Sequence, residues 1–117
     1  MVVHNIKTGR ELDRFLKEHE VVMVYCSLTH CIPCKRVGPL FEKESENYVN
    51  IGFCKIVVDE LEDECDTYIR EKLELTKFPS FTLLNNGIKL DNCIGPNMDK
   101  VINILKCIGD TGDDDFK

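Results

Sequence analysis

At 117 residues and 43% hydrophobic content, the chain has the size of one ordinary domain and enough apolar side chains to fill a core without metal or disulfide staples. Its net charge is −6, of which residues 110–117 carry −3 through four Asp and one Lys, and no run of Lys or Arg supplies the clustered basic face that nucleic acid requires. No stretch is apolar over a length that would cross a bilayer, and residues 1–7 lack the apolar core of a secretion signal, so the expectation is a cytoplasmic protein with no nucleic-acid and no membrane partner.

Thr8-Gly9-Arg10-Glu11 has the form of a capping box, and Leu12, Phe15 and Leu16 follow at helical spacing. This predicts a first amphipathic helix over residues 9–19. Val21-Val22-Met23-Val24-Tyr25-Cys26 is continuously apolar rather than alternating, the pattern of a strand covered on both faces, and it is the best candidate for the middle of a sheet.

Cys31 and Cys34 come next, with Ile32 and Pro33 between them and Lys35 and Arg36 behind. Val37, Leu40 and Phe41 among charged residues predict a helix over residues 31–48 packed on that sheet. Pro33 is tolerated in its first turn, whereas Pro39 lies in the interior and should kink it. A strand turning into this helix puts Cys31 at the helix's first position, where unpaired N–H groups and the positive end of the helix dipole favour a thiolate. Such a thiolate can attack another protein's disulfide.

Residues 51–58 read as a second buried strand ended by Asp59, and residues 61–73 as a short, mostly polar helix. Phe81, Leu83 and Leu84 lead into Asn85-Asn86-Gly87, and Asn-Gly followed by Ile88, Leu90 and Ile94 is a strong hairpin signal. After Gly95-Pro96, the residues Met98, Val101, Ile102 and Leu105 mark a last amphipathic helix. Residues 1–108 should form the domain, and residues 109–117, with closely spaced like charges, an acidic disordered tail. The order strand, helix, strand, helix, strand, helix, hairpin, helix describes an α/β domain with a mixed central β-sheet flanked by helices on both faces.

The seven cysteines are odd in number, and Cys26, Cys54, Cys65, Cys93 and Cys107 show no regular spacing. They are expected to be reduced, with Cys26 and Cys54 buried in strands and Cys93 a half-buried or exposed thiol. Residue types alone leave two other readings of the close pair: thiols that merely pack near a helix start, or half of a zinc knuckle. Zinc would need four ligands, and His30 is the only plausible third one.

Taken together, these motifs identify a resemblance to the thioredoxin family over residues 5–107. That family's Cys-x-Pro-Cys-Lys is matched by Cys31-Ile32-Pro33-Cys34-Lys35 and its kinking proline by Pro39. Its Lys-x-x-x-Asp is matched by Lys55 and Asp59, its cis-proline by Pro79 after Phe78, and its two turn glycines by Gly87 and Gly95. The resemblance implies a thioredoxin fold and a protein-disulfide reductase in which Cys31 attacks a substrate disulfide and Cys34 resolves the mixed disulfide. It further implies a substrate surface of Ile32, Pro33, Phe78, Pro79 and Gly95, and supporting positions at Tyr25, His30, Lys35 and Lys55. The implied partners are disulfide-containing proteins and a thioredoxin-reductase-like electron donor, with no cofactor and no metal.

Four positions depart from the family pattern. His30 stands where Trp usually precedes the first cysteine, Ile32 where Gly is usual, and Phe78 where the residue before the cis-proline is small or β-branched. Tyr25 stands at the position of a buried Asp that helps remove a proton from the second cysteine. A tyrosine hydroxyl, with an ordinary pKa near 10, is a poor base at neutral pH. Tyr25, His30 and Phe78 therefore keep a second reading open, a binding or adaptor module with incidental redox activity. A glutaredoxin-type enzyme fits less well, since Lys77-Phe78-Pro79 and Gly95-Pro96 stand where that family shows Thr-Val-Pro and a Gly-Gly pair.

Overall fold

Alternation along one central strand divides the interior into two cores. In a computed structural model that describes the backbone of residues 2–114 and the side chains of residues 2–108, that strand is β2 (Val21–Ser27). The remaining strands are β1 (Val3–Asn5), β3 (Gly52–Val57), β4 (Ser80–Asn85) and β5 (Ile88–Ile94). The helices are α1 (Gly9–Glu18), α2 (Ile32–Ser45), α3 (Asp63–Leu73) and α4 (Met98–Asp114). The sheet order is β1-β3-β2-β4-β5, parallel across β1, β3 and β2 and antiparallel across β2, β4 and β5.

Because successive side chains on a strand point to opposite faces, Met23 and Tyr25 enter one core and Val22, Val24 and Cys26 the other. The first core is closed by Val37 and Phe41 of α2 and Val101 and Leu105 of α4. The second is closed by Leu12, Phe15 and Leu16 of α1 and Ile69 and Leu73 of α3. Each large apolar side chain buried this way contributes about 1.5–3 kcal/mol, which is why an all-apolar strand is stable only between two helical layers.

Local signals hold where side chains complete them. The Thr8 side chain accepts from the Glu11 N–H at 3.0 Å, and Glu11 Oε1 accepts from the Lys7 N–H at 2.6 Å, closing the start of α1. Asn86 and Gly87 have φ of 52° and 82°, the two left-handed positions of a tight hairpin turn. The boundaries move by a few residues. Helix α2 stops at Ser45 because the N–H groups of Glu46, Asn47 and Tyr48 turn back to carbonyls three residues earlier, a tightened final turn. Asp59 does not directly end β3 but lies in a short 3₁₀ turn, Val58–Glu60, and α3 begins at Asp63. The segment expected as a disordered tail from residue 109 begins within α4, whose helical backbone continues to Asp114. A helix already nucleated and packed extends residue by residue at little cost. Residues 115–117 lie outside the described residues.

Candidate active site

The loop from β2 to α2 carries the site. Cys31 is not the first helical residue, as expected, but the N-cap of α2, with extended backbone (φ −96°, ψ 107°). That conformation turns its Sγ back to accept from the Cys34 N–H at 3.3 Å, a cap contact the first helical position could not make. Cys31 and Cys34 are joined by a disulfide, with their Cα atoms 5.2 Å apart. The two cysteines are unequal: Cys31 is half-buried, while Cys34 is only 2% exposed. When the bond opens, the N–H donor and the helix dipole both stabilise negative charge on the outer sulfur, Cys31.

The loop before Cys31 is pinned from β3's side. The Asp59 carboxylate accepts from the Thr29 N–H at 3.0 Å and from Thr29 Oγ1 at 2.9 Å. Partial desolvation raises the Asp59 pKa, but the Thr29 hydrogen bonds and the nearby His30 charge outweigh it and hold the carboxyl below its ordinary value. His30, Lys35 and Arg36 are exposed around the pair.

Across the sheet, Cys26 pairs with Ser80, so the antiparallel register carries Pro79 to the same end as Ser27 and the loop to Cys31. The Phe78–Pro79 peptide bond is cis, as the resemblance implied, and the Pro79 carbonyl accepts from the Gly95 N–H at 2.8 Å. Gly95 has φ 103°, a conformation that side chains avoid, so the turn beside Pro79 needs glycine. Ile32 is 68% exposed on this rim and Ile94, before Gly95, is exposed as well. Phe78 sits lower: it is half-buried against the second core, with the Arg70 guanidinium 5.6 Å above its ring.

Behind Cys34 stands Tyr25, 1% exposed. Its ring stacks on Phe81 at 5.0 Å and tilts against Phe41 at 5.2 Å, and its hydroxyl donates to the Cys34 carbonyl at 2.6 Å. Burial pushes its pKa up to about 12, against a smaller lowering from a Ser27 hydrogen bond, so Tyr25 is a neutral donor at every physiological pH. Lys55 Nζ lies 5.9 Å from the centre of the same ring. Tyr25, Ser27, Cys34, Lys35, Lys55 and Glu60 are among the residues lining a hollow of about 200 Å³.

The 3₁₀ turn brings Glu60 to this hollow, and sequence reasoning missed it. No periodicity marks the residue, and its only signal is its place directly after Asp59. Ser27 was missed for a similar reason, since it lies one residue beyond the apolar run that identified β2. Cys26, Cys54, Cys65 and Cys93 are free thiols. Cys26 and Cys54 are buried as expected, and burial pushes the Cys26 thiol up to about 12 and the Cys54 thiol well above its ordinary value. Cys93 is buried rather than half-buried or exposed, because it faces inward from β5 into the first core, where its Sγ donates to the Asn97 carbonyl at 3.7 Å.

Comparison with known proteins gives one consistent result. The thioredoxin family's sequence model matches residues 3–107. The chain is 34% identical to thioredoxin-1 of Saccharomyces cerevisiae over 96 residues, covering 82% of this chain and 88% of that one. It is 32% identical to thioredoxin-2 of Pyricularia oryzae over 101 residues, covering 86% of this chain but 56% of the longer relative. The solved structure of a poplar thioredoxin h superposes with a TM-score of 0.82 at 29% identity, covering 92% of this chain and 96% of that one.

Proposed function

The chain belongs to the thioredoxin family, and as a dithiol-disulfide oxidoreductase of that family, we propose, it reduces protein disulfides with Cys31 as attacking thiol and Cys34 as resolving thiol. The observation that carries the assignment is the inequality of the two sulfurs. The outer one is accessible and capped by an N–H donor, and the inner one is shielded behind it. Cys31 thiolate attacks a substrate sulfur, a mixed disulfide forms, and the first substrate thiolate leaves. Cys34 thiolate then attacks Cys31 Sγ, the second substrate thiolate leaves, and the two cysteines are bridged. A thioredoxin-reductase-like donor returns two electrons to the bridge.

Ile32, Pro33 and Gly95 form the rim that meets the substrate in this reading, with the buried Pro79 and half-buried Phe78 beneath it, and His30 and Lys35 are exposed beside the pair. The free thiols of Cys26, Cys54, Cys65 and Cys93 suit a reducing compartment, so we place the protein's work in the cytoplasm, in keeping protein thiols reduced. Among the described residues, no helix is long and apolar enough to cross a membrane.

Insulin reduction driven by dithiothreitol, run on the native protein and on Cys31→Ser and Cys34→Ser, tests the assignment. Cys31→Ser should lose activity, and Cys34→Ser should accumulate a stable mixed disulfide visible by intact mass. Equal rates for all three proteins would favour a binding module instead.

A further inference from the structure

If Cys34 resolves the mixed disulfide, its thiol must first lose a proton, and the groups around it differ sharply in their capacity to take one. Tyr25 keeps its own proton, which it uses to hydrogen-bond the Cys34 carbonyl. Ser27 offers a hydroxyl, and Lys55 on β3 and Lys35 on α2 are hydrogen-bond donors without an acceptor. His30 lies on the exposed side of the loop, and the Asp59 carboxylate is committed to Thr29 through two donors. Glu60 is the one carboxylate lining the hollow beside Cys34, and no hydrogen bond or ion pair engages it among the described residues. Glu60 is exposed, and with Lys55 it also lines a second, smaller crevice of about 40 Å³, so a proton it takes up can pass on to solvent.

We propose that Glu60 takes up, through water in this hollow, the proton that Cys34 sheds as it resolves the mixed disulfide. A hollow of about 200 Å³ bordered by a hydroxyl, a phenol and an ammonium group is roomy and polar enough for bridging water. In the step, the Cys34 S–H bond breaks, the proton passes through water to a Glu60 oxygen, and the sulfur's electron pair forms the bond to Cys31 Sγ. The bond between Cys31 and the substrate breaks, its electron pair leaves on the substrate sulfur, and Glu60 then returns its proton to solvent. The inference rests on the assignment of Cys31 and Cys34 given above.

Electrostatics alone predicts the opposite sign for the decisive variant. Removing a negative charge near Cys34 lowers that thiol's pKa and speeds resolution, whereas removing a proton acceptor slows it. The test uses the full chain in a Cys65→Ser/Cys107→Ser background, so that the accessible thiols outside the pair do not react. The reduced protein is mixed with dithiobis(nitrobenzoate), and two releases of thionitrobenzoate are followed by stopped flow: the first reports attack by Cys31, the second resolution by Cys34.

At neutral pH, Glu60→Gln should slow the second release about tenfold relative to the first, with the gap closing above about pH 9 as Cys34 ionises unaided. Glu60→Asp should recover part of the rate, and Glu62→Gln, an exposed carboxylate outside the hollow, should leave it unchanged. A second release in Glu60→Gln as fast as native, or faster, would overturn the role of Glu60. Absence of a first release in the native protein would overturn the assignment of Cys31 itself.

Discussion

Tyr25 and Cys34 are joined by a hydrogen bond from the tyrosine hydroxyl to the cysteine's backbone carbonyl, 2.6 Å long, which ties the central strand to the first turn of α2. The side chain that replaces the family's acid therefore does mechanical work. It holds the inner sulfur's backbone in place while its aromatic ring fills the space between Phe41 and Phe81.

Tyr25→Phe keeps the ring and removes the tie. It should lower stability by about 1 kcal/mol, read as a shift in the urea midpoint, and leave insulin reduction within about twofold of native, because a neutral phenol takes no proton from Cys34. Tyr25→Asp should lower stability further, by about 3 kcal/mol, since it removes a buried aromatic and buries a carboxyl. It should also speed resolution of the mixed disulfide near neutral pH by placing a base beside Cys34. An unchanged resolution rate in Tyr25→Asp would show that another base or water suffices.

Acid should loosen the loop that presents Cys31. The Asp59 pKa is lowered in the folded chain despite partial desolvation, by the Thr29 hydrogen bonds and the His30 charge. Its contribution to stability is thus fully present above the ordinary carboxyl range, about pH 4, and is lost as pH falls through the lowered folded value. Asp59→Asn removes that charge and should flatten the acid limb of a stability-against-pH series below about pH 4. A limb as steep as native would place the acid sensitivity elsewhere.

Alkali acts through the buried thiols, with the reverse sign. Cys26 is raised by burial to about 12, so the folded chain keeps a proton that the unfolded chain gives up above about pH 9. Stability should be fully present below that pH and decline as pH climbs toward 12. Cys26→Ala should make the decline shallower, even though it lowers stability overall. Alkylation of the reduced native protein at neutral pH should label Cys31 first, then Cys107 and Cys65, and spare Cys26, Cys54 and Cys93 until the chain unfolds. Early labelling of Cys26 would show that β2 opens locally.

Sequence patterns were sufficient wherever one periodicity or one turn decided the structure. The unbroken apolar run around Val24 identified the central strand, Thr8 and Glu11 the start of α1, and Asn86-Gly87 the hairpin, because each rests on interactions within a few residues. The close cysteines stood out by their spacing at a strand-to-helix turn, and the cis bond before Pro79 was reached through the family pattern. The surroundings of the inner sulfur were not legible, because they are made by residues far apart in the chain. Whether Tyr25 filled space or served chemistry turned on a hydroxyl reaching a carbonyl nine residues away, and Glu60 reaches the hollow only through the turn after β3. Phe78 read as part of the substrate surface, yet Arg70 from α3 covers it, a contact no local pattern announces.

The division of β2 between two cores constrains which changes this lineage can accumulate. Inserting or deleting a single residue upstream of Tyr25 within the strand would rotate the phenol toward α1 and α3 and swing Cys26 beneath α2, exchanging the contents of both compartments at once. Length variation is therefore confined to the connections, while chemistry is free to drift by substitution. A tyrosine in place of an acid, seated at an unchanged address, is the kind of novelty such an architecture permits.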